Sequence, residues 1–297
     1  MKYFKHKNIK KTTAKKLTIT SAVLLSVLLF ALVGSGCLGQ DTADGKIIIS
    51  GSTSVLPPAQ VLSEKYMEAH SDAVISIKGG GSGTGIAELI DSSNDIAMSS
   101  RKIKDSEIEN ARAKGIEPKE YEIAKDGISI IVNPANPVND LTLEQLQKIY
   151  SGEIKNWKEV GGEDSEIAVI ARDSASGTQE FFKEAVMGTV EFRNDLITQS
   201  ATGAVTQEVA QNKKAIGFVG AAYQSSNIKT LGINTGSTII MPTEANILSE
   251  TYPLSRALYL YTSQTPKQTA KDFIAFVLST EGQKIIQENG YAPIKSV

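Results

Sequence analysis

IAVIARDSASGTQEFF, residues 167–182, joins a strand pattern to a helix pattern through a turn of small hydroxyl residues. Its apolar start is typical of a buried strand, and a helix is predicted at residues 179–186. The same order occurs in IIISGSTSVLP, residues 47–57, and in VISIKGGGSGTGIAELI, residues 74–90. Units of this kind predict an α/β fold with parallel strands, whose strand-to-helix turns gather at one edge of each sheet.

Each of these turns presents free backbone N–H groups and hydroxyls at the positive end of a helix dipole, which suits an oxyanion. The third turn also carries a cation, Arg172, just before Ser176-Gly177-Thr178. A guanidinium can form a bidentate pair with a tetrahedral oxyanion while N–H groups bind its other oxygens. Helix capping and glycine turns would explain each segment singly, and a salt bridge with Asp173 or Glu180 would explain Arg172.

Residues 1–37 have the composition of an export signal. The first sixteen residues contain seven lysines and no acid, residues 17–33 are uncharged and mostly apolar, and small residues lead to Cys37. Because this cysteine resembles that of a lipobox, we predict that Cys37 is lipidated and that residues 38–46 form a linker. An uncleaved membrane anchor is the alternative. In both cases we expect the protein at the outer face of the cytoplasmic membrane.

The charge balance of the remaining chain argues against nucleic acid as a partner. The whole sequence has a net charge of −2, and without the seven leader lysines 24 bases face 33 acids, a net charge of −9. A nucleic-acid-binding protein would show the opposite bias. An anion must therefore be held by local dipoles and by one or two buried cations. No cysteine beyond Cys37 is present for disulfides, so a conventional core must stabilise the fold.

Residues suited to catalysis or metal binding are scarce. His70 is the one histidine beyond the leader, and we interpret it as a solvated residue at a helix end. With no second histidine, a zinc site or a Ser-His-Asp triad has little support. Residues 79–85 lack the lysine and the spacing of a nucleotide-binding loop. We therefore predict a protein that is not an enzyme and uses no cofactor or metal.

The alternation of strand and helix patterns continues along the chain. A long extended stretch at residues 121–133 and a second at residues 252–262 are candidates for crossings between two lobes. The predicted lobes are then residues 47–126 with 256–297, and residues 127–255; one continuous sheet is the alternative. Strands are predicted at residues 47–49, 74–77, 96–98, 120–123 continuing into 127–132, 167–170, 216–219 and 258–261. Helices are predicted at residues 57–69, 85–91, 105–113, 143–149, 179–186, 204–211 and 266–288.

These segments resemble, over essentially the whole chain after the leader, the phosphate-binding component of the phosphate ABC importer. The most specific element is Arg172-x-x-x-Ser176-Gly177-Thr178. The other matching segments are GSTSV (51–55), GGSGTG (80–85), DIAMSSR (95–101), GEIKNW (152–157) and YPLSR (252–256). The resemblance implies a two-lobed fold of the periplasmic-binding-protein type (type II). Each lobe would be a mostly parallel sheet flanked by helices, with the ligand in the interlobe cleft.

The resemblance also implies the ligand, the partners and the site. Inorganic phosphate would be bound outside the cytoplasm by a monomer and passed to the permease and ATPase of an ABC importer. The implied ligand residues are Ser52, Thr53, Ser54, Ser82, Ser100, Arg172, Ser176, Gly177 and Thr178.

Selectivity for phosphate is a separate question. Some members of the family use an aspartate after the third strand to accept the proton of phosphate, and this chain has Ser100 there. A carboxylate repels ionised sulfate, whereas a hydroxyl repels it far less. Asp126 is our candidate for a replacement acceptor, although it can equally be a solvated hinge residue. We interpret Arg101 and Arg256 as partners of acids at the cleft rim.

Three alternatives stay open at this point. The protein can be a receptor for another tetrahedral oxyanion, sulfate or molybdate. A phosphoryl-transfer enzyme would share turns that hold phosphate, but it would need a nucleophile or metal cluster. A surface scaffold that uses the fold without a ligand would bind no anion.

Overall fold

The computed structural model describes residues 45–295 and 297. The predicted leader at residues 1–37, the lipidation of Cys37 and nearly all of the linker at residues 38–46 lie outside the described residues. The described residues belong to one compact unit. None of the helices between residues 45 and 295 is both long and apolar enough to cross a membrane.

Strands and helices alternate along most of the described chain. The strands are β1 (Lys46–Gly51), β2 (Val74–Gly79), β3 (Ile96–Ser99), β4 (Pro118–Val132), β5 (Asp140–Leu141), β6 (Ala168–Arg172), β7 (Ile197–Gln199), β8 (Ala215–Gly220), β9 (Lys229–Asn234), β10 (Ile239–Ile240) and β11 (Ser255–Ser263). The α-helices are α1 (Leu56–Ala69), α2 (Ser82–Ile90), α3 (Asp105–Ala113), α4 (Leu143–Ser151), α5 (Gly177–Phe182), α6 (Thr202–Gln211), α7 (Glu244–Leu248), α8 (Gln268–Val277) and α9 (Thr280–Glu288).

The strands form one curled sheet in the order β2-β1-β3-β11-β4-β8-β6-β7, with β5, β9 and β10 attached through β4. Parallel pairs lie towards its two ends, where β1 joins β2 and β3, and β6 joins β7 and β8. The centre is antiparallel, because β11 pairs with β3 and β4, and β4 also pairs with β8. The α/β class is confirmed. The sheet is mixed because β4 and β11, at its centre, pair antiparallel with their neighbours.

Strand β4 is the longest described strand and carries the chain from one half of the sheet to the other. Its register with β11 ends at Gly127, and its register with β8 begins at Ile128. The predicted crossing at residues 121–133 therefore corresponds to a real change of partner. Strand β11 returns the chain beside the first half of β4, as the second predicted crossing requires.

Two large clusters of buried apolar side chains lie on either side of this change of partner. One includes Ile47, Ile96 and Phe273, and the other includes Trp157, Phe182 and Phe218. The clusters are what two lobes would need as separate cores. The lobe limits themselves remain a prediction.

The prediction of one helix at residues 266–288 is wrong, because the chain breaks between α8 and α9. Ser279 is the N-cap of α9, and its side chain accepts a hydrogen bond from Gly282 N at 3.1 Å. A serine hydroxyl that bonds the backbone competes with a continuous helix. Strands β5, β7, β9 and β10 are absent from the prediction. For β5, β7 and β10 the reason is their length of two or three residues, which gives little periodicity.

Helix starts also differ from prediction. Helix α2 begins at Ser82, and α5 begins at Gly177 and continues as a π-helical turn over Lys183–Met187. The glycine-rich turns are therefore shorter than the sequence indicates. Ser82 and Gly177 lie in the first helical turn, where backbone N–H groups have no intrahelical acceptor.

Replacing Phe182 by alanine tests the core of the second cluster. The Phe182 and Phe218 rings are stacked with centroids 4.2 Å apart, and Tyr150 lies 4.6 Å from Phe182. We expect F182A to lower the free energy of unfolding by about 3–5 kcal/mol, because it leaves a cavity in a close-packed site. Urea denaturation measures this, with V74A at an exposed apolar residue as the control. Equal midpoints for the two variants would contradict the packing described.

Candidate functional site

Hydroxyl groups from five turns meet where β4 changes partner. Ser54 Oγ lies 2.9 Å from Thr178 Oγ1, and Thr53 Oγ1 lies 3.0 Å from Thr202 Oγ1. Ser82 Oγ lies 3.3 Å from Ser100 Oγ and accepts a hydrogen bond from Ser100 N at 3.0 Å. Except for Thr53, which is partly exposed, these residues are buried. The structure thus brings together predicted residues that lie more than a hundred positions apart.

Backbone contacts hold the turns together at short range. Gly83 N donates to Ala175 O at 3.0 Å, which links the start of α2 to the turn before α5. A Cβ at Gly177 would lie 2.3 Å from Ser82 Oγ and 2.8 Å from Ser100 Oγ. Any larger residue at this position would therefore force the side chains of Ser82 and Ser100 to move. Gly177 thereby places the first turn of α5 against the hydroxyls of α2 and β3.

Arg172, at the end of β6, is a buried cation in contact with these hydroxyls and is 4 % exposed. Its guanidinium donates to Gln199 O, Ser200 O, Thr202 Oγ1 and Thr53 Oγ1, at 3.0 to 3.1 Å. Neither Asp173 nor Glu180 accepts from it, so the salt-bridge explanation of Arg172 is not supported. Burial lowers the pKa of Arg172, Asp173 opposes this and the charge of Arg256 adds to it. An anion between the two arginines would remove their mutual repulsion.

Arg256, at the start of β11, is a second buried arginine near the site. Its Nε and Nη2 donate to Asp126 Oδ2 at 3.1 and 2.8 Å. Its Nη1 donates to Thr178 Oγ1 at 3.0 Å and to Ser100 O at 3.3 Å. The interpretation as partner of an acid holds for Arg256, but this acid is buried in the interior and the arginine also contacts Thr178.

Asp126 makes its hydrogen bonds away from the hydroxyl cluster. Its Oδ2 accepts from Arg256, and its Oδ1 accepts from Ala221 N at 3.0 Å. The residue is 2 % exposed, so it is not a solvated hinge residue. Its predicted role as proton acceptor stays a prediction.

Two other predicted residues cap their own turns. Ser52 Oγ accepts from Ser54 N at 3.2 Å, and Ser176 Oγ accepts from Gln179 N at 3.2 Å as the N-cap of α5. Both side chains stabilise the turn conformation. What these turns offer a ligand is then mainly the backbone N–H groups at the helix start.

Thr202, the first residue of α6, belongs to the cluster and was missed from the sequence. It is fully buried and bonds Arg172, Thr53 and Ser54. Its segment SATG, residues 200–203, is a fourth small-residue turn between a strand and a helix, but β7 has only three residues. Tyr223 and Tyr291 were also missed; their hydroxyls donate to Thr53 O at 2.5 Å and to Ser54 O at 2.7 Å.

An ion-pair cluster, which we call the rim clasp, joins Arg101, Lys104, Glu107 and Glu180. Arg101 Nη1 and Nη2 donate to Glu107 at 2.8 and 2.7 Å, and Arg101 Nε lies 2.7 Å from Glu180 Oε2. Lys104 also pairs with Glu180. Arg101 follows Ser100, and Glu180 lies in α5, so the rim clasp links the segments that carry Ser100 and Thr178.

Comparison with known proteins finds a matching family model and relatives that share one name. A family model described as a PBP superfamily domain matches residues 39–281. The phosphate-binding protein PstS of Staphylococcus saprophyticus is 34 % identical over 286 residues, covering 93 % of this chain and 88 % of that protein. The protein of the same name from Staphylococcus aureus strain MRSA252 is 34 % identical over 292 residues, covering 94 % and 88 %.

Solved structures agree with the sequence relatives. A phosphate ABC transporter substrate-binding protein of Clostridium perfringens, solved with bound phosphate and described as putative, superimposes with a TM-score of 0.78 at 34 % identity. It is matched over 84 % of this chain and 100 % of that one. An ABC-type phosphate transport receptor of Vibrio cholerae gives a TM-score of 0.68 at 37 % identity, over 82 % and 98 %.

Replacing Glu180 by glutamine tests the rim clasp. The change keeps the size of the side chain, removes the charge that attracts Arg101 and Lys104, and replaces one of the two acceptor oxygens by an NH2 donor. We expect E180Q to destabilise the arrangement with the turns together by about 1 kcal/mol, since Glu180 is only partly buried. Small-angle scattering in low salt should show a larger radius of gyration than for the wild type. The control is E184Q, an exposed residue of the following turn; equal radii for all three proteins would rule out a clasp.

Proposed function

We propose, because the chain belongs to the phosphate-binding proteins of the PBP superfamily, that it binds inorganic phosphate outside the cytoplasm for an ABC importer. The relatives are named for phosphate binding, and one was solved with phosphate bound. The family model matches residues 39–281, which include all the turns of the site. The ligand would be handed to a membrane permease driven by its ATPase.

The observation that carries the proposal is the environment of Arg172. The guanidinium is buried, and in the described chain its hydrogen bonds go to uncharged oxygens. A buried charge is costly unless an opposite charge is supplied, and a bound phosphate would supply it. The hydroxyls around it offer further donors to the same anion. The proposed ligand residues are Ser52, Thr53, Ser54, Ser82, Ser100, Arg172, Ser176, Gly177 and Thr178, to which we add Thr202.

We further propose that binding and closure are coupled. The lobes would be residues 47–126 with 256–297 and residues 127–255, each built on one of the two large hydrophobic clusters. Strands β4 and β11 connect them, and the hydroxyl pairs and the rim clasp bridge them. An anion that contacts both lobes selects the closed state, because only that state recruits donors from both sides.

The finer features of the prediction remain proposals. The relatives' names describe binding and transport, and we propose that this chain is likewise a receptor and not an enzyme, acting as a monomer without a cofactor. We also propose that Cys37 is lipidated and anchors it at the outer face of the cytoplasmic membrane. Incorporation of labelled lipid in cells, compared with a C37A variant, tests the anchor.

Calorimetric titration of the chain from Lys46 onward, whose described residues belong to one compact unit, tests the phosphate proposal. We expect tight binding of phosphate and weak binding of sulfate, each measured at about pH 5.5 and about pH 8. Comparable binding of both anions would favour the alternative, a general receptor for tetrahedral oxyanions such as sulfate or molybdate. Binding of neither anion would refute the proposal.

The variant R172Q identifies the site in the same titration. Losing a buried, hydrogen-bonded charge should weaken phosphate binding by at least about thirtyfold. R172K keeps the charge without the planar fork and should fall between R172Q and the wild type. R112Q, at an exposed arginine paired with Glu117, is the control and should bind normally. Wild-type affinity in R172Q would place the anion elsewhere.

A further inference from the structure

The two buried arginines make reciprocal contacts between the proposed lobes. Arg172 ends β6 and donates through Nη2 to Thr53 Oγ1, on the turn after β1, at 3.1 Å. Arg256 is the second residue of β11 and donates through Nη1 to Thr178 Oγ1, in α5, at 3.0 Å. Each guanidinium thus reaches a threonine hydroxyl presented by the opposite lobe. The ring of Phe181, beside Thr178, lies 5.9 Å from the guanidinium of Arg256.

This arrangement decides which way the threonine hydroxyls point. An arginine has donors and no acceptor, so a hydroxyl that it contacts must use a lone pair in that bond. The proton of Thr178 is then directed elsewhere, towards Ser54 Oγ or towards a ligand. The same holds for Thr53 and Thr202, which both accept from Arg172. Each of these hydroxyls keeps its proton for another acceptor, which is a neighbouring hydroxyl within the cluster or an oxyanion.

Asp126 determines where the free nitrogen of Arg256 points. It binds two of the three nitrogens through one oxygen, while its other oxygen accepts from Ala221 N. The two side chains are 2 % and 1 % exposed, so solvent does not compete for them. The fork geometry of the guanidinium then leaves Nη1 directed at Thr178. A lysine in place of Arg256 could not hold Asp126 and Thr178 in this fixed geometry.

We infer that Arg256, oriented by Asp126, is a positioning residue of the anion site. It fixes the hydroxyl of Thr178 as a donor and contacts that residue only when the lobes are together. Arg256 thereby contributes to affinity without touching the anion, and Asp126 acts as its anchor. This inference rests on the proposed phosphate function and adds a residue pair to it.

A double-mutant cycle of Arg256 and Thr178 tests the inference. We expect R256Q and T178V each to weaken phosphate binding by about tenfold or more, as for a hydrogen bond to a charged group. The double variant should bind about as well as the weaker single variant, because R256Q acts through the hydroxyl that T178V removes. T178S, which keeps the hydroxyl, should stay close to the wild type. If the loss of phosphate affinity in the double variant equals the product of the losses in the two single variants, the inference is overturned.

The design separates this inference from the proposed function. Absence of phosphate binding in the wild type would refute the proposed function. If the wild type binds phosphate but the binding free-energy changes of R256Q and T178V simply add in the double variant, only the role of Arg256 is refuted. R256Q leaves the buried Asp126 unpaired, so thermal unfolding is measured for each protein. Should R256Q not fold, R256K replaces it in the cycle, with the same expectation of non-additivity.

The variant D126N distinguishes an anchor from a proton acceptor. As an anchor, D126N should weaken phosphate binding by the same factor at about pH 5.5 and about pH 8. As an acceptor of the phosphate proton, it should instead alter the pH dependence and the discrimination against sulfate. Arg256 bonds Asp126, and the phenols of Tyr223, Tyr252 and Tyr291 interact with its charge. Lys125 and Glu244 line the same cavity as Asp126.

These phenols do not titrate in the range of the experiment. Burial raises the pKa of Tyr223 to about 12, with Asp126 as a further cause. Burial also raises the pKa of Tyr252 and of Tyr291, again with Asp126 contributing. The phenols therefore stay neutral at both pH values. A pH-dependent loss in D126N would therefore overturn the anchor role.

Discussion

The guanidinium of Arg172 is buried at the end of β6, where described hydroxyl and carbonyl oxygens accept its hydrogen bonds and no described carboxylate does. An uncompensated charge in such a place is unfavourable, and the rest of the site can be understood from this constraint. The hydroxyls of Thr53 and Thr202 partly solvate the charge. Full compensation needs an anion, and the closed turns leave their donors positioned for one.

The turns are held together by groups that are not among the proposed ligand-binding side chains. The exclusion of a Cβ at Gly177, the bond from Gly83 N to Ala175 O and the rim clasp all favour the arrangement with the turns together. Strand β4 permits this arrangement because its two halves pair with different neighbours. Under the proposed coupling of binding and closure, a ligand that adds bonds to both sides would favour this arrangement.

Much of the fold could be predicted from the sequence, because the deciding features are local. The strand-turn-helix segments and the residues of the third turn are short patterns with a clear physical meaning, and the α/β class and the family resemblance are confirmed. The partner of Arg256 could not be predicted, since Asp126 lies 130 residues away and meets it only through the pairing of β4 with β11. Thr202 was missed because β7 is too short to show a strand pattern. The ligand residues remain a prediction.

The acidic character of the chain bears on how a site of this kind can work. With a net charge of −9 outside the leader, the long-range field repels phosphate, so attraction must come from groups within a few ångströms of the ligand. Arg172, Arg256 and Asp126 together leave one buried positive charge, and helix starts add partial charges at the same place. Salt screens the outer field far more than the buried one. Higher ionic strength should therefore speed the approach of the anion, while it weakens the exposed part of the rim clasp and so loosens the closed state. The first effect acts on association and the second on closure. The contacts of Arg172 and Arg256 are buried, so salt screens neither of them strongly.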